Sequence, residues 1–141
     1  RSTLFPYTTL FRSGSAISQK LILARWCQDE GLPLVSSMGG ANKLDPTRLH
    51  FSDIGCTTND PLARIMRKEC RRRGIRHLEV LWSDERPQEP EGKAVALGEG
   101  GFVREGASIL GTMSYLPPIM GQMIAGRVIS KLAGLSWERQ V

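Results

Sequence analysis

The chain has 141 residues, 40% of them hydrophobic, with 19 basic and 14 acidic side chains and a formal net charge of +5. That size and apolar content suffice for one buried core, and no apolar run approaches the roughly 18 residues that a membrane-crossing helix needs. Cys27, Cys56 and Cys70 lie far apart with no CxxC pair, which disfavours a zinc site or a disulfide framework and points to a reducing, cytoplasmic compartment.

The opening string RSTLFPYTTLFRSGS repeats TLF at Thr3 to Phe5 and at Thr9 to Phe11 and follows neither a helical nor a strand period. A secretory signal needs a continuous apolar core, which Pro6 and the threonines interrupt. TLFPYTTLFRS is what a common sequencing-library adapter encodes when translated. Residues 1–13 are therefore expected to be foreign, and residues 14–141 to be the C-terminal piece of a longer protein. Without Arg1 and Arg12 the balance is 17 basic to 14 acidic residues, or +3.

From Ile17 to Glu30 the chain is rich in helix formers, with Gly31 as the expected cap and Pro33 as the stop. Leu34 to Met38 is a short β-prone run ending at Gly39-Gly40, as a buried parallel strand ends in a loop. A further strand is expected through Leu49, Phe51 and Ile54. It is followed by a helix capped by Asn59 or Thr58 with Pro61 in its first turn. On that helix Leu62, Ile65, Met66 and Cys70 read as the apolar face, and Arg64, Arg67, Lys68 and Arg71 as the opposite, solvated one. Gly74 ends it, and His77 to Ser83 reads as a strand. About residues 84–111 form a long loop, followed by a short strand near Met113 to Tyr115, a turn at Pro117-Pro118 and a helix to about Leu132. The fold class is α/β.

Three stretches occur in order: SSMGGANKLDPTR at Ser36 to Arg48, SDI at Ser52 to Ile54, and NDPLAR at Asn59 to Arg64. The closing GTMSYLPPIMG follows them. Together they resemble the C-terminal half of the tRNA threonylcarbamoyladenosine dehydratases, members of the adenylating superfamily that includes the ubiquitin-activating enzymes. The resemblance implies the C-terminal part of an open Rossmann-like sheet with flanking helices, ATP with Mg2+ as cofactors, tRNA as substrate and a homodimer. The chemistry it implies is adenylation of the threonylcarbamoyl carboxylate and cyclisation with loss of AMP. The family's loop reads like MGAGGK, whereas this chain has Met38-Gly39-Gly40-Ala41-Asn42-Lys43. No cysteine lies between Gly106 and Tyr115, so a thioester step is not supported, and the missing CxxC pairs disfavour a sulfur-carrier adenylyltransferase.

Ligands in open α/β sheets sit beyond the carboxyl ends of the strands. The Met38-Gly39 end of the first strand and its loop are such a place, and with the resembling motifs this implies a nucleotide or substrate crevice of Met38, Gly39, Lys43, Asp45, Thr47, Asp60 and Arg64. Lys43 would offset phosphate or carboxylate charge and Thr47 would donate a hydrogen bond. The plain alternatives are a solvated turn at Lys43 and Asp45, and a dipole-complementing charge at Asp60. A tRNA surface is expected at Arg67, Lys68, Arg71, Arg72 and Arg73, with a solvated helix face as the alternative. No catalytic residue and no metal ligand is assigned. His50, His77 and the three cysteines read as structural. A sulfur-carrier adenylyltransferase and a non-catalytic basic RNA-binding module are the competing readings.

Overall fold

The computed structural model describes residues 15–89 and 111–135. Residues 1–13, most of the expected long loop and the C-terminal residues 136–141 lie outside this set. Six regular elements follow one another: α1 (Ser15–Asp29), β1 (Val35–Ser37), β2 (Leu49–Asp53), α2 (Pro61–Arg72), β3 (Glu79–Ser83) and α3 (Leu116–Leu132). Short 3-10 turns at Pro46–Arg48 and Ile54–Cys56 flank β2.

The sheet order is β1-β3-β2, with β3 central. β1 runs parallel to β3, pairing Val35 with Glu79 and Ser37 with Leu81. β2 is antiparallel to β3, pairing Leu49 with Ser83 and Asp53 with Glu79, so the sheet is mixed rather than wholly parallel. β3 is the element that alternation makes two-sided. Val80 and Trp82 enter one core with Leu21, Ala24, Met38, Ile54, Ala63, Met66 and Cys70, beneath α1 and α2. Leu81 faces the other way, into a smaller cluster with Leu49, Leu116 and Met120, beneath α3. The result is three layers, with helices on both faces of the sheet.

Both long interior helices end as their sequences require. Gly31 and Gly74 adopt left-handed backbone (φ +66° and +67°), which glycine enters without a Cβ clash. Leu32 N–H then closes on the Cys27 carbonyl (2.8 Å), and Ile75 N–H on that of Cys70 (2.9 Å). α2 starts differently from expectation. Asn59 sits in left-handed backbone (φ 50°) and Asp60 is the cap, its carboxylate accepting from Ala63 N–H. Ala63 rather than Ile65 completes the buried face with Met66 and Cys70, and Ile65 is exposed.

The strand expected at Met113 to Tyr115 is not formed. Those residues are a turn entering α3, and the neighbouring backbone is satisfied otherwise. Asn42 N–H donates to the Gly111 carbonyl (2.7 Å), Gly111 N–H donates to Asn42 Oδ1 (2.8 Å), and Tyr115 Oη donates to the Leu44 carbonyl (2.6 Å). These bonds hold the start of α3 against the loop after β1.

Candidate functional site

The loop after β1, the start of α2 and the segment after β3 meet at the carboxyl end of the parallel pair, and Asp60 joins them. Its Oδ2 accepts from Gly39 N–H (3.1 Å) and its Oδ1 from Ala63 N–H (2.9 Å). Lys43 Nζ stands 3.7 Å from Oδ2, and both side chains are almost fully buried. Lys43 Nζ also donates to the Ser83 carbonyl at the end of β3 (2.7 Å). Burial pulls the Lys43 ammonium below its ordinary pKa, with the carboxylates of Asp60 and Glu85 acting in the opposite direction. Lys20 of α1 completes this basin by donating to the Ser37 carbonyl (2.7 Å). Its pKa is likewise lowered by burial and supported by the Asp60 charge.

Glu85 does for the KLDP turn what Asp60 does for the glycine loop. Buried after β3, it accepts from Leu44 N–H (2.9 Å) and Asp45 N–H (2.9 Å). Asp45 caps the following 3-10 turn by accepting from Thr47 N–H (2.9 Å) and Thr47 Oγ1 (2.5 Å), and those hydrogen bonds hold its carboxyl below the usual range. Arg48 Nε meets Asp84 Oδ1 at 2.7 Å and lowers that carboxyl as well. Asp45, Arg48, Asn59, Asp84 and Glu85 thus line a polar cleft of about 340 Å³.

Several expected roles change with these contacts. Met38 is a core residue, extending the β1–β3 ladder through its N–H to the Leu81 carbonyl, and does not open on the crevice. Lys43 is neither a solvated turn residue nor a free phosphate donor, because its charge is turned inward onto Ser83 and Asp60. The Thr47 hydroxyl is engaged by Asp45. The close approach that Gly39 and Gly40 permit is internal. A Cβ at Gly39 would lie 3.4 Å from Asp60 Oδ1, and one at Gly40 would lie 3.3 Å from Met120 Sδ. Asp60 does more than complement a helix dipole, since it ties together three chain segments. Of the residues expected in the crevice, Arg64 presents an exposed charged side chain without an ion pair among the described residues, in a second cleft with Asp60, Pro61 and Ile65.

The expected tRNA residues also divide. Arg67 Nη1 donates to the carbonyl and the hydroxyl of Thr57, fastening α2 to the turn after β2. Arg72 and Arg73 both pair with Glu69 (2.8 and 3.8 Å). Lys68 and Arg71 are exposed without an ion pair among the described residues. Cys27 and Cys70 are buried, which raises their thiol pKa values, and Cys56 is exposed. His50 packs edge-on against Trp82, with centroids 4.5 Å apart. His77 is exposed, with the carboxylate of Asp53 at 3.6 Å, brought near by the β2–β3 pairing. Glu85 and Lys20 had no sequence signal beyond their charge. Their roles arise only when β3 and α1 pack against β1.

No family model matches the chain. In curated sequences it is 34% identical over 124 residues to the tRNA threonylcarbamoyladenosine dehydratase of Bacillus subtilis, covering 85% of this chain and 48% of that protein. It is 33% identical over 112 residues to dehydratase 2 of Saccharomyces cerevisiae, covering 76% and 25%. This chain is homologous to the tRNA threonylcarbamoyladenosine dehydratases. It spans about half the length, or less, of the curated dehydratases it matches. Among solved structures, the Escherichia coli dehydratase TcdA superposes with a TM-score of 0.66 at 20% identity, covering 84% of this chain and 45% of that one. The same enzyme in complex with AMP superposes at 0.63. The α/β layers described above are therefore the Rossmann-like fold of these dehydratases.

Among the described residues no three His, Cys, Asp or Glu side chains converge as a metal cluster. Nor do the crevice carboxylates fit a resident Mg2+. Asp60 is engaged by two backbone N–H groups and Lys43, and Glu85 by the KLDP turn. No described helix is long and apolar enough to cross a membrane.

Proposed function

We propose that this sequence is part of an ATP-dependent tRNA threonylcarbamoyladenosine dehydratase. The enzyme adenylates the threonylcarbamoyl carboxylate, a ligase-type activation, and cyclises the modified adenosine with release of AMP. The observation that carries the reading is the 34% identity sustained over 124 residues to a dehydratase, on the same fold. In this reading residues 14–141 form the C-terminal half of the adenylating domain and residues 1–13 are adapter-derived, which resequencing the source DNA would check.

The role of the described residues is architectural at the crevice. Asp60, Lys43 and Glu85 set the loop after β1 at the carboxyl end of the sheet. Their donors and acceptors are used within the protein, so ATP phosphates and any Mg2+ accompanying them are held by groups outside this set. The partners are ATP, tRNA and a second copy of the chain. Support for a homodimer comes from exposed apolar residues on α3 and just after it, Val128, Ile129, Leu132 and Leu135. In this reading the enzyme works in the cytoplasm, where ATP and tRNA are both present.

The test is AMP formation from ATP by the complete protein carrying this sequence, supplied with tRNA bearing threonylcarbamoyladenosine. Formation of AMP together with the cyclised nucleoside by mass spectrometry supports the assignment. AMP formation driven by a sulfur-carrier protein instead of tRNA refutes it.

A further inference from the structure

Between residues 64 and 76 the chain carries seven cationic side chains, and the structure sorts them by whether their charge is already met. Arg67 is turned onto Thr57, and Arg72 and Arg73 share Glu69. Arg76 lies beyond α2, beside the opposite, amino-terminal end of the sheet. That leaves Arg64, Lys68 and Arg71, exposed and without an ion pair among the described residues. Their spacing of four and then three residues puts them in one row on α2. At about 1.5 Å per residue the row spans roughly 10 Å along the helix axis.

The row does not stand on a uniformly polar face. Arg64 and Lys68 line a cleft of about 680 Å³ whose floor and rim include Ile65, Pro61 and Pro87. Ile65 is 49% exposed there. Cations beside an exposed apolar floor suit a ligand with regularly spaced anions and flat, weakly polar faces. In a paired A-form helix the base faces are stacked away from such a floor, whereas in a loop or single strand they can be splayed onto it.

We propose that Arg64, Lys68 and Arg71, with the Ile65 and Pro87 floor, form a contact surface for the unpaired loop of an RNA. The three cations take successive phosphates, and one base lies on Ile65. The choice of RNA over an acidic protein rests on the dehydratase reading above.

The experiment follows binding of the complete protein carrying this sequence, without ATP, to a labelled, unmodified anticodon stem–loop RNA by fluorescence anisotropy over a KCl series. Arg64→Ala, Lys68→Ala and Arg71→Ala should each flatten the log–log salt slope by about 0.7, the value for one neutralised phosphate on a single strand. Arg64→Lys and Arg71→Lys, which keep the charge, should restore it. Arg72→Ala should leave the slope in place because Glu69 already meets that charge. Ile65→Ser should weaken stem–loop binding several-fold without moving the slope, and should not affect a fully paired hairpin of equal length.

Unchanged slopes in all three alanine variants, or polyglutamate binding as tight as RNA binding, overturn the proposal. So does a paired hairpin that binds as tightly as the loop. The measurement needs no ATP and so separates from the function test. Unchanged slopes together with cyclisation by the complete protein refute this surface alone, whereas flattened slopes without cyclisation refute the dehydratase and leave the surface standing.

Discussion

Removing Asp60 should unfasten the crevice from the fold. Asp60→Ala deletes the α2 cap, strands the Gly39 N–H, and leaves the buried Lys43 ammonium with the Ser83 carbonyl as acceptor and the weaker support of the Glu85 charge. Taking one partner from a buried ion pair costs about 3–5 kcal/mol, because the remaining charge has lost its counter-ion away from water. Loss of a cap by itself typically costs about 1 kcal/mol. The two share the same carboxylate and are not independent, so a total near 4 kcal/mol is expected, a large fraction of a small domain's stability. Lys43→Met should be milder, about 2 kcal/mol. Asp60 keeps its two backbone donors, the desolvation cost of the lysine disappears, and the chief loss is the donor to Ser83. The double variant should cost less than the sum of the singles, by about 1–3 kcal/mol, since either change already breaks the pair. Urea unfolding monitored by tryptophan fluorescence measures all three at unchanged m-value. An Asp60→Ala cost below about 1 kcal/mol, or strict additivity with Lys43→Met, would refute the reasoning that Asp60 is the joint of the site.

Arg67→Ala should lower stability by about 1.5–3 kcal/mol, the range for a hydrogen bond to a charged group, because it frees Thr57 and the turn after β2. A thermal melt equal to wild type would contradict that. Glu79 gives a pH test. Burial raises its pKa, but the hydrogen bonds and charges of Lys131 and Arg127 outweigh that and hold it below the ordinary 4.5. A carboxylate lowered on folding contributes stability that is complete above 4.5 and is lost as pH falls through its folded value. Docking of α3 should therefore loosen in that acid window, and Glu79→Gln should flatten the stability–pH profile there. Calorimetry of the 141-residue chain with ATP should show no micromolar binding, since the crevice donors described are engaged internally. Binding of that strength would place phosphate contacts where none is assigned.

Local chemistry was enough to read most elements from the sequence. Gly31 and Gly74 announce helix ends because left-handed backbone there disfavours any residue with a Cβ, and β3 reads as a strand because four buried residues in succession need cover on both faces. The ordered motifs from Ser36 to Arg64 were enough to point to the dehydratases, whose homology the comparisons show. The destination of a charge was not legible in the same way. Lys43 and Arg67 look like any solvated lysine or arginine until β3 places the Ser83 carbonyl 2.7 Å from one and the turn after β2 brings Thr57 to the other. Nothing next to Glu85 in sequence marks it as the acceptor for backbone 40 residues away. Periodicity and turn chemistry act over a few residues and are written in them. Whether an ionised group faces water, a carbonyl or a counter-charge is decided by segments distant in sequence, and so only by the packed fold.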